Sequence, residues 1–155
     1  MQYWTNLALT TLLAVLGYLL TIGVIRPLLK FNNKKFETGI LLNYFSNIIT
    51  SPGANKKLAD EAQQKIRWLA MELEADYLGV QFRGVFTGLK EIPSIKTMIE
   101  VKRSLVFLSN SVHRGDIDKN HSEMGKVFVK LGIKEVDVDN GIVKAMEIYK
   151  KYSKE

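Results

Sequence analysis

The chain contains no cysteine among its 155 residues. Disulfide bonds, thiolate nucleophiles and cysteine-ligated zinc sites are therefore excluded, and so is a small secreted domain held together by disulfides. Histidine is also scarce, with only His113 and His121 in the whole sequence. Any catalytic or metal-binding histidine would have to be one of these two.

Sequence motifs of catalysis and cofactor binding are absent as well. There is no Walker loop, no G-x-G-x-x-G and no G-x-S-x-G, so nucleotide chemistry and a hydrolase elbow have no support. Ser104, Ser109 and Ser111 lie near His113 in sequence, but a dyad requires spatial pairing and an oxyanion hole. His113 near a helix C-terminus is better explained as a favourable dipole contact. The sequence predicts no catalytic residue and no cofactor.

Acidic residues begin a calcium-loop pattern without completing it. Asp116, Asp118 and Asn120 match the D-x-D-x-N start, but His121 occupies the glycine position and a valine occupies the position of the final glutamate. In a second acidic loop, DVDNG in residues 137–141, a valine would occupy the first position of the calcium-loop pattern. Solvated turns explain both loops, and we predict no metal site.

The formal net charge is +6, which fits a solvated basic surface, an anionic membrane surface or a nucleic acid. Basic side chains on the segment 56–67 are diluted by acidic neighbours such as Asp60 and Glu61. No basic strip interleaved with aromatic residues is visible. Nucleic-acid binding is therefore disfavoured.

Charge is missing entirely from one long segment, Leu7 to Ile25. It has 19 residues, of which seven are Leu, two Ile and two Val. As a helix it would be about 28 Å long, close to the roughly 30 Å hydrocarbon core of a bilayer. Tyr3 and Trp4 precede it where interfacial aromatic residues are expected. The pattern predicts a transmembrane anchor over residues 1–26.

A signal peptide and a buried helix of a soluble protein both fit the apolar run less well. A signal peptide would carry a basic residue before the run and an A-x-A-like cleavage site after it, whereas the exit is IGVIRPLL. A buried helix would have to be apolar on every face, inside a domain too small to surround it. The membrane span is the favoured interpretation.

Orientation follows from the cations around the span. The six residues before Leu7 carry no charged side chain, whereas Arg26, Lys30, Lys34 and Lys35 follow it. The positive-inside rule places the N-terminus outside and the remaining chain in the cytoplasm. We expect these four cations to contact the membrane surface, and we expect Pro27 to end or bend the helix there.

The juxtamembrane region, residues 27–53, contains the basic segment and an amphipathic stretch, FETGILLNYFSNIIT (36–50). Its apolar pairs recur every four residues, which suits either a core helix or a helix in the membrane interface. Ser51 and Pro52 suit a helix restart.

Residues 54–155 predict a small cytoplasmic domain, and the chain as a whole is all-α, with four or five helices after the span. Helices are expected at about 54–78, 94–113 and 140–152, with a short one between Ser122 and Gly132. Residues 79–92 are expected to be irregular or a short helix, 116–121 a polar loop and 134–140 an acidic turn. Gly115 is expected to end the third helix as a C′ glycine.

The segments KIRWLAMELEAD and IPSIKTMIEVKRSLVFLSNSV resemble parts of small bacterial proteins that have one N-terminal membrane span and a helical cytoplasmic region. The resemblance covers about residues 1–115. It implies the architecture and a location in the bacterial inner membrane, and it implies no activity.

The sequence thus favours a membrane-tethered helical interaction module without chemistry of its own, with the lipid bilayer and a protein as partners. Small residues Ala14, Gly17 and Thr21 on one face of the span also permit a homo-oligomer. The alternatives are a membrane-anchored enzyme whose site has no recognisable motif, and a small membrane-active effector. A deep polar cavity with convergent ionisable groups would favour the enzyme.

Overall fold

The computed structural model describes residues 2–53 and 55–133, and within them all regular secondary structure is helical. This confirms the all-α prediction for that part of the chain. The predicted acidic turn at 134–140 and helix at 140–152 lie outside the described residues. The elements are α1 (Gln2–Leu20), a π-helical turn (Thr21–Ile25), α2 (Arg26–Tyr44), α3 (Ser46–Thr50), α4 (Lys56–Gly79), α5 (Arg83–Gly88), α6 (Ile95–Ser111) and α7 (Ile117–Leu131).

The first three elements form one continuous helix, of which the 42 residues Tyr3–Tyr44 are about 63 Å long. Pro27 was expected to end or bend the helix, and the structure shows that the helix does not end there. Proline has no N–H to donate, and its ring would press against the carbonyl of Gly23. The turn before it is widened instead, and the N–H of Arg26 bonds to the Thr21 carbonyl five residues back. The π-helical turn accommodates the proline while the helix continues.

Side-chain links show that α2, α4, α6 and α7 are stacked in that order, each antiparallel to the next. In every neighbouring pair of helices the residue numbers rise along one helix as they fall along the other. The links are Lys30–Asp76 and Lys34–Glu72 between α2 and α4, Arg67–Asn110 and Lys102–Glu74 between α4 and α6, and Glu100–Lys130 and Ser104–Glu123 between α6 and α7.

A single apolar core lies between these helices. Helix α6 packs against both α4 and α7, so its apolar face forms the centre. The fully buried large side chains are Phe31, Leu42, Phe45, Ile49, Ile66, Leu73, Tyr77, Val80, Val101, Leu105, Leu108 and Val112. Because Leu42, Phe45 and Ile49 are among them, the stretch 36–50 agrees with the core-helix alternative. Residues 27–53 pack into the same core as 55–133.

The start of α4 differs from the predicted restart at Ser51 and Pro52. The N-cap is Asn55, whose side chain accepts a hydrogen bond from the Leu58 N–H at 3.1 Å. The intervening Gly53 adopts a left-handed φ of 80° and donates its N–H to the Val112 carbonyl at 3.1 Å. This tie to the end of α6 holds residues 51–53 outside the helix. Asparagine is as effective a cap as serine, so local preference alone does not choose between them.

Helix α7 begins earlier than predicted, because the polar stretch 116–121 is not a loop. Asp116 is the N-cap, and its carboxylate accepts from the N–H groups of Asp118 and Lys119 at 2.9 and 3.2 Å. The predicted end of this helix is confirmed, since Gly132 adopts a left-handed φ of 64° after the last turn. Most polar residues of the first turn face solvent, which sequence polarity does not distinguish from a loop.

Gly115 does not have the role that the sequence suggested. It follows α6 without a left-handed φ, and its N–H bonds to the Ser111 carbonyl at 2.6 Å. A Cβ at this position would lie 2.5 Å from the Ser111 carbonyl oxygen and 2.7 Å from Nδ2 of Asn120. Glycine is therefore required by the close approach of α7 to the end of α6 rather than by backbone conformation.

We predict that Gly115→Ala lowers the free energy of unfolding by about 1–3 kcal/mol, as overpacking of a filled site does. The matched control is Gly125→Ala in α7, where nothing lies within 4 Å of the new methyl group. That variant should gain roughly 0.5–1 kcal/mol from helix propensity. Thermal and chemical denaturation of the full chain in mild detergent measures both. Equal stability of the two variants would contradict this role of Gly115.

Candidate functional site: the apolar helix and its basic junction

Helix α1 has no packing partner within the described part of the chain. Residues 3–22 are exposed throughout, and the most apolar 18-residue window of the long helix Tyr3–Tyr44 has a mean hydropathy of 2.2 with none of it buried. By length and composition this helix can cross a membrane. A signal sequence or the core helix of a soluble protein meets the same criterion, so the crossing itself stays a prediction.

The two aromatic residues predicted at the interface lie in the first turn of α1. Tyr3 and Trp4 are both about 70% exposed, at 72% and 71%, and their rings meet edge to face with centroids 5.7 Å apart. Their polar atoms and their exposure suit a membrane–water boundary. Contact with lipid headgroups at this end stays a prediction.

The four cations predicted to meet the membrane surface have different surroundings. Arg26 is exposed at the first turn of α2, and Lys30 is exposed while its Nζ pairs with Asp76 at 2.6 Å. Lys34, in contrast, has a side chain only 17% exposed, and Lys35 is half-buried. The structure therefore places Arg26 and Lys30 nearest the apolar helix, and it turns Lys34 towards α4.

Lys34 is a structural cation that joins α2 to α4. Its Nζ lies 2.7 Å from Glu37 and 2.9 Å from Glu72. Burial lowers the pKa of Lys34, but the hydrogen bonds and charges of the two carboxylates outweigh burial and raise this pKa overall. The ammonium group therefore stays protonated across the physiological range and keeps both carboxylates compensated.

Asp76 is the buried member of the neighbouring pair. Its side chain is only 6% exposed and Oδ1 contacts Lys30, whereas Oδ2 is buried without a hydrogen-bond partner among the described residues. A carboxylate in this position depends on its cation, because removal of the partner leaves a buried charge uncompensated. Lys30 therefore stabilises the packing of α4 against the long helix, next to the turn where the apolar run ends.

The serine hydroxyls near His113 do not bond to it. They donate to other groups: Ser104 to Glu123, Ser109 to the Val106 carbonyl and Ser111 to the Leu108 carbonyl. Nε2 of His113 instead lies 3.2 Å from Oε1 of Gln63 and 3.4 Å from Oδ1 of Asp60 on α4. These contacts join the end of α6 to α4.

The acidic residues of the first calcium-like pattern belong to the start of α7. Asp116 caps the helix, and Asn120 is fully buried with Nδ2 donating to the Ile49 carbonyl at 2.6 Å. Within residues 2–53 and 55–133, no group of three or more acidic or histidine side chains could hold a metal ion. The second pattern, DVDNG, lies outside the described residues.

Two surface depressions are apparent on the described part of the chain. One lies on α1, between Trp4 and Val15, and its lining is uncharged. The other lies after α4, is lined by Leu78 and residues 80–84, and contains Arg83 as its one ionisable side chain. Neither depression brings ionisable groups together. The second one adjoins exposed apolar side chains that sequence reasoning did not identify.

Comparisons with known proteins identify no relative. No protein-family model, curated protein or solved structure matches this chain. Arguments about function therefore rest on the geometry of the molecule.

The pairing of Glu123 makes a pH-dependent contribution to stability. The pKa of Glu123 is lowered, first by the hydrogen bond from Lys126 and then by that from Ser104. A carboxyl whose folded pKa is depressed stabilises the fold above its unfolded pKa, about 4.3, and that contribution is lost as pH falls through the lower folded value.

We therefore expect the melting temperature to fall as pH drops from neutrality through the range below about 4.3. Glu123→Gln should melt lower than the parent at neutral pH, and its melting temperature should depend less on pH in that acid range. Glu91→Gln changes an exposed glutamate in the turn before α6 and serves as the control. Identical pH profiles for the Glu123 variant and the parent would show that this link is energetically neutral.

Proposed function

We propose that the chain is a single-pass protein of the bacterial inner membrane, with its N-terminus outside, and that its cytoplasmic helical domain is a tethered module for binding another protein. One observation carries the proposal: a single unbroken helix, Tyr3–Tyr44, is wholly exposed and apolar in its first half and part of the domain core in its second. The exposed half requires a covering, and a bilayer provides one for a helix that is apolar on all sides.

The continuity of this helix determines how the domain would be held. Because α1 leads into α2 without a loop, and Phe31 and Leu42 of α2 are fully buried in the core, the domain cannot swivel freely beneath its anchor. The support for cytoplasmic placement is the charge asymmetry around the span. The bacterial assignment rests on the sequence resemblance.

The surface offered to a protein partner is the outer side of α4. Trp68 and Met71 are 61% and 48% exposed there, one turn apart, and Arg67 adjoins them with its guanidinium on Asn110 at 2.5 Å. Tryptophan, methionine and arginine are the residue types enriched in protein interfaces, and a large aromatic anchor often supplies much of the binding energy. This α4 face favours a binding module over a purely structural anchor.

The test of orientation uses reporters fused after Glu155. A fluorescent protein that folds only in the cytoplasm should be bright, and a phosphatase active only outside the membrane should be inactive. The opposite pattern would overturn both the topology and the class of partner.

The test of binding uses a photo-crosslinking amino acid at Trp68 in intact membranes. We expect discrete crosslinked products identified by mass spectrometry, and none from the same amino acid at Val129, which is 81% exposed on α7. Identical product patterns at the two sites would rule out a specific partner surface on α4.

A further inference from the structure

Exposed apolar side chains gather at one end of the helical stack. Where α4 ends, α5 follows and α6 begins, five large apolar residues are each more than half exposed: Leu78, Phe82, Val85, Leu89 and Ile95. We name this set the apolar corner. Single exposed apolar residues are ordinary on a protein surface, but a contiguous group marks a place that meets another apolar phase.

The structure places the apolar corner beside the point where the apolar helix run ends. Helix α4 runs antiparallel to α2, with Glu72 level with Lys34 and Asp76 level with Lys30. Continuing this register brings the end of α4 to the π-helical turn. There, Oε1 of Gln81 lies 3.4 Å from where a Cβ of Gly23 would be.

The exposure of residues along the long helix also places the edge of the helical domain at the π-helical turn. Residues 3–22 are exposed without interruption, and the first half-buried positions are Gly23 and Val24. The helical domain therefore begins to cover the long helix at the turn that directly precedes Arg26. A bilayer that contained the apolar run would have its cytoplasmic boundary at this turn, and the apolar corner would lie against that boundary.

Arg83 stabilises the backbone at the apolar corner. Its guanidinium donates to the carbonyls of Leu78 at 2.5 Å and Val80 at 3.3 Å, and it lies over the ring of Tyr77 at 5.9 Å. Phe82 is held in the left-handed region, at φ 54°, which is uncommon for a non-glycine residue. Phe82 is nevertheless 65% exposed, so packing inside the domain does not explain the conformation.

The charges around the apolar corner favour a lipid surface over a protein. The segment 78–96 carries Arg83, Lys90 and Lys96 against the single acid Glu91. Apolar and aromatic side chains flanked by cations are typical of elements that lie in the interface of an anionic leaflet. Arg26 at the adjacent junction extends this basic rim.

We propose that the apolar corner inserts into the headgroup region of the same leaflet that α1 leaves. The inference rests on the proposed span, since the span sets the level of the bilayer. The domain is then fixed to the membrane at two places, the long helix and the apolar corner. Its orientation is set, and the α4 face with Trp68 stands roughly perpendicular to the membrane plane.

The test exploits the absence of cysteine, because a single introduced cysteine can be labelled uniquely. Phe82→Cys and Val85→Cys are labelled with an environment-sensitive fluorophore in the full chain, reconstituted in vesicles of phosphatidylglycerol and phosphatidylethanolamine. Ile117→Cys is the matched control, an exposed apolar residue at the opposite end of the stack. We expect labels at 82 and 85 to be blue-shifted and quenched by spin-labelled lipids, and the label at 117 to be quenched only by aqueous iodide.

A label at Leu12→Cys separates this inference from the proposed span. If the label at position 12 is quenched deep in the bilayer while the labels at 82 and 85 behave like the label at 117, the proposed span is supported. The apolar corner then does not contact lipid. If Leu12 is not quenched by lipid, the span itself is refuted. A blue shift at 82 and 85 without lipid quenching would mean that protein covers the corner, which also overturns the inference.

Discussion

Replacing Leu105 by alanine is expected to lower the free energy of unfolding by about 2–5 kcal/mol. Leu105 is fully buried in the middle of α6, the helix that packs against both α4 and α7. The truncation removes apolar contacts and leaves a cavity that the helices on either side cannot fill without moving. Since a small domain is stabilised by about 5–15 kcal/mol in total, this single change removes a large share.

Thermal and chemical denaturation in mild detergent provide the measurement. Val129→Ala is the matched control, because its side chain is 81% exposed and its loss should change stability by less than about 0.5 kcal/mol. If the Leu105 variant were as stable as the control, α6 would not be the centre of the core.

Ser109→Ala and His113→Ala test for chemistry hidden at the C-terminal end of α6. Ser109 bonds to its own helix and His113 contacts α4, so both variants should retain the partner crosslink formed at Trp68. Loss of function in either variant with folding intact would favour the enzyme alternative.

The parts of the fold that follow from local sequence were predictable. Helix α6 was predicted at about 94–113 and is observed as Ile95–Ser111, with the side chain of Ser94 at its N-cap accepting from the Thr97 N–H. The end of α7 at Gly132 was also predicted, because a glycine after the last turn supplies the left-handed conformation. In each case the deciding interaction lies within a few residues along the chain.

The errors occur where a distant segment decides the local structure. Gly115 is constrained by Asn120 from α7, and residues 51–53 are held out of α4 by the Val112 carbonyl at the end of α6. Pro27 does not end the helix, because a π-helical turn accommodates it inside a continuous helix. Local propensity contains no information about such contacts with distant segments.

The candidate site also has features that are visible in sequence and features that depend on distant contacts. The apolar run and the cations after it are visible in sequence, but the burial of Lys34 depends on Glu72, 38 residues away along the chain. The apolar corner was not identified, because the apolar residues of 79–92 fit both helix and strand periods. In the structure Phe82, Val85 and Leu89 are exposed, whereas Val80 and Ile92 of the same stretch are buried.

The second large effect is expected from charging the apolar helix. Eleven strongly apolar residues at roughly −0.3 to −0.6 kcal/mol each favour insertion of the run by about 3–7 kcal/mol. Arginine near the centre of a span costs about 2.5–3.5 kcal/mol per residue on the same scale. The double variant Leu13→Arg and Leu16→Arg should therefore cancel most of the insertion energy and release the chain from the membrane fraction.

Carbonate extraction of membranes measures this release, with the parent chain expected in the pellet and the double variant in the supernatant. Adding the same two charges outside the span, as Ser122→Arg and Val129→Arg on the exposed side of α7, should leave the chain in the pellet. Because residues 3–20 of α1 are exposed, the helical domain of the double variant should melt as the parent does in detergent. A double variant that resists extraction would show that α1 does not hold the chain in the bilayer, whereas a changed melting temperature would mean that α1 packs against protein.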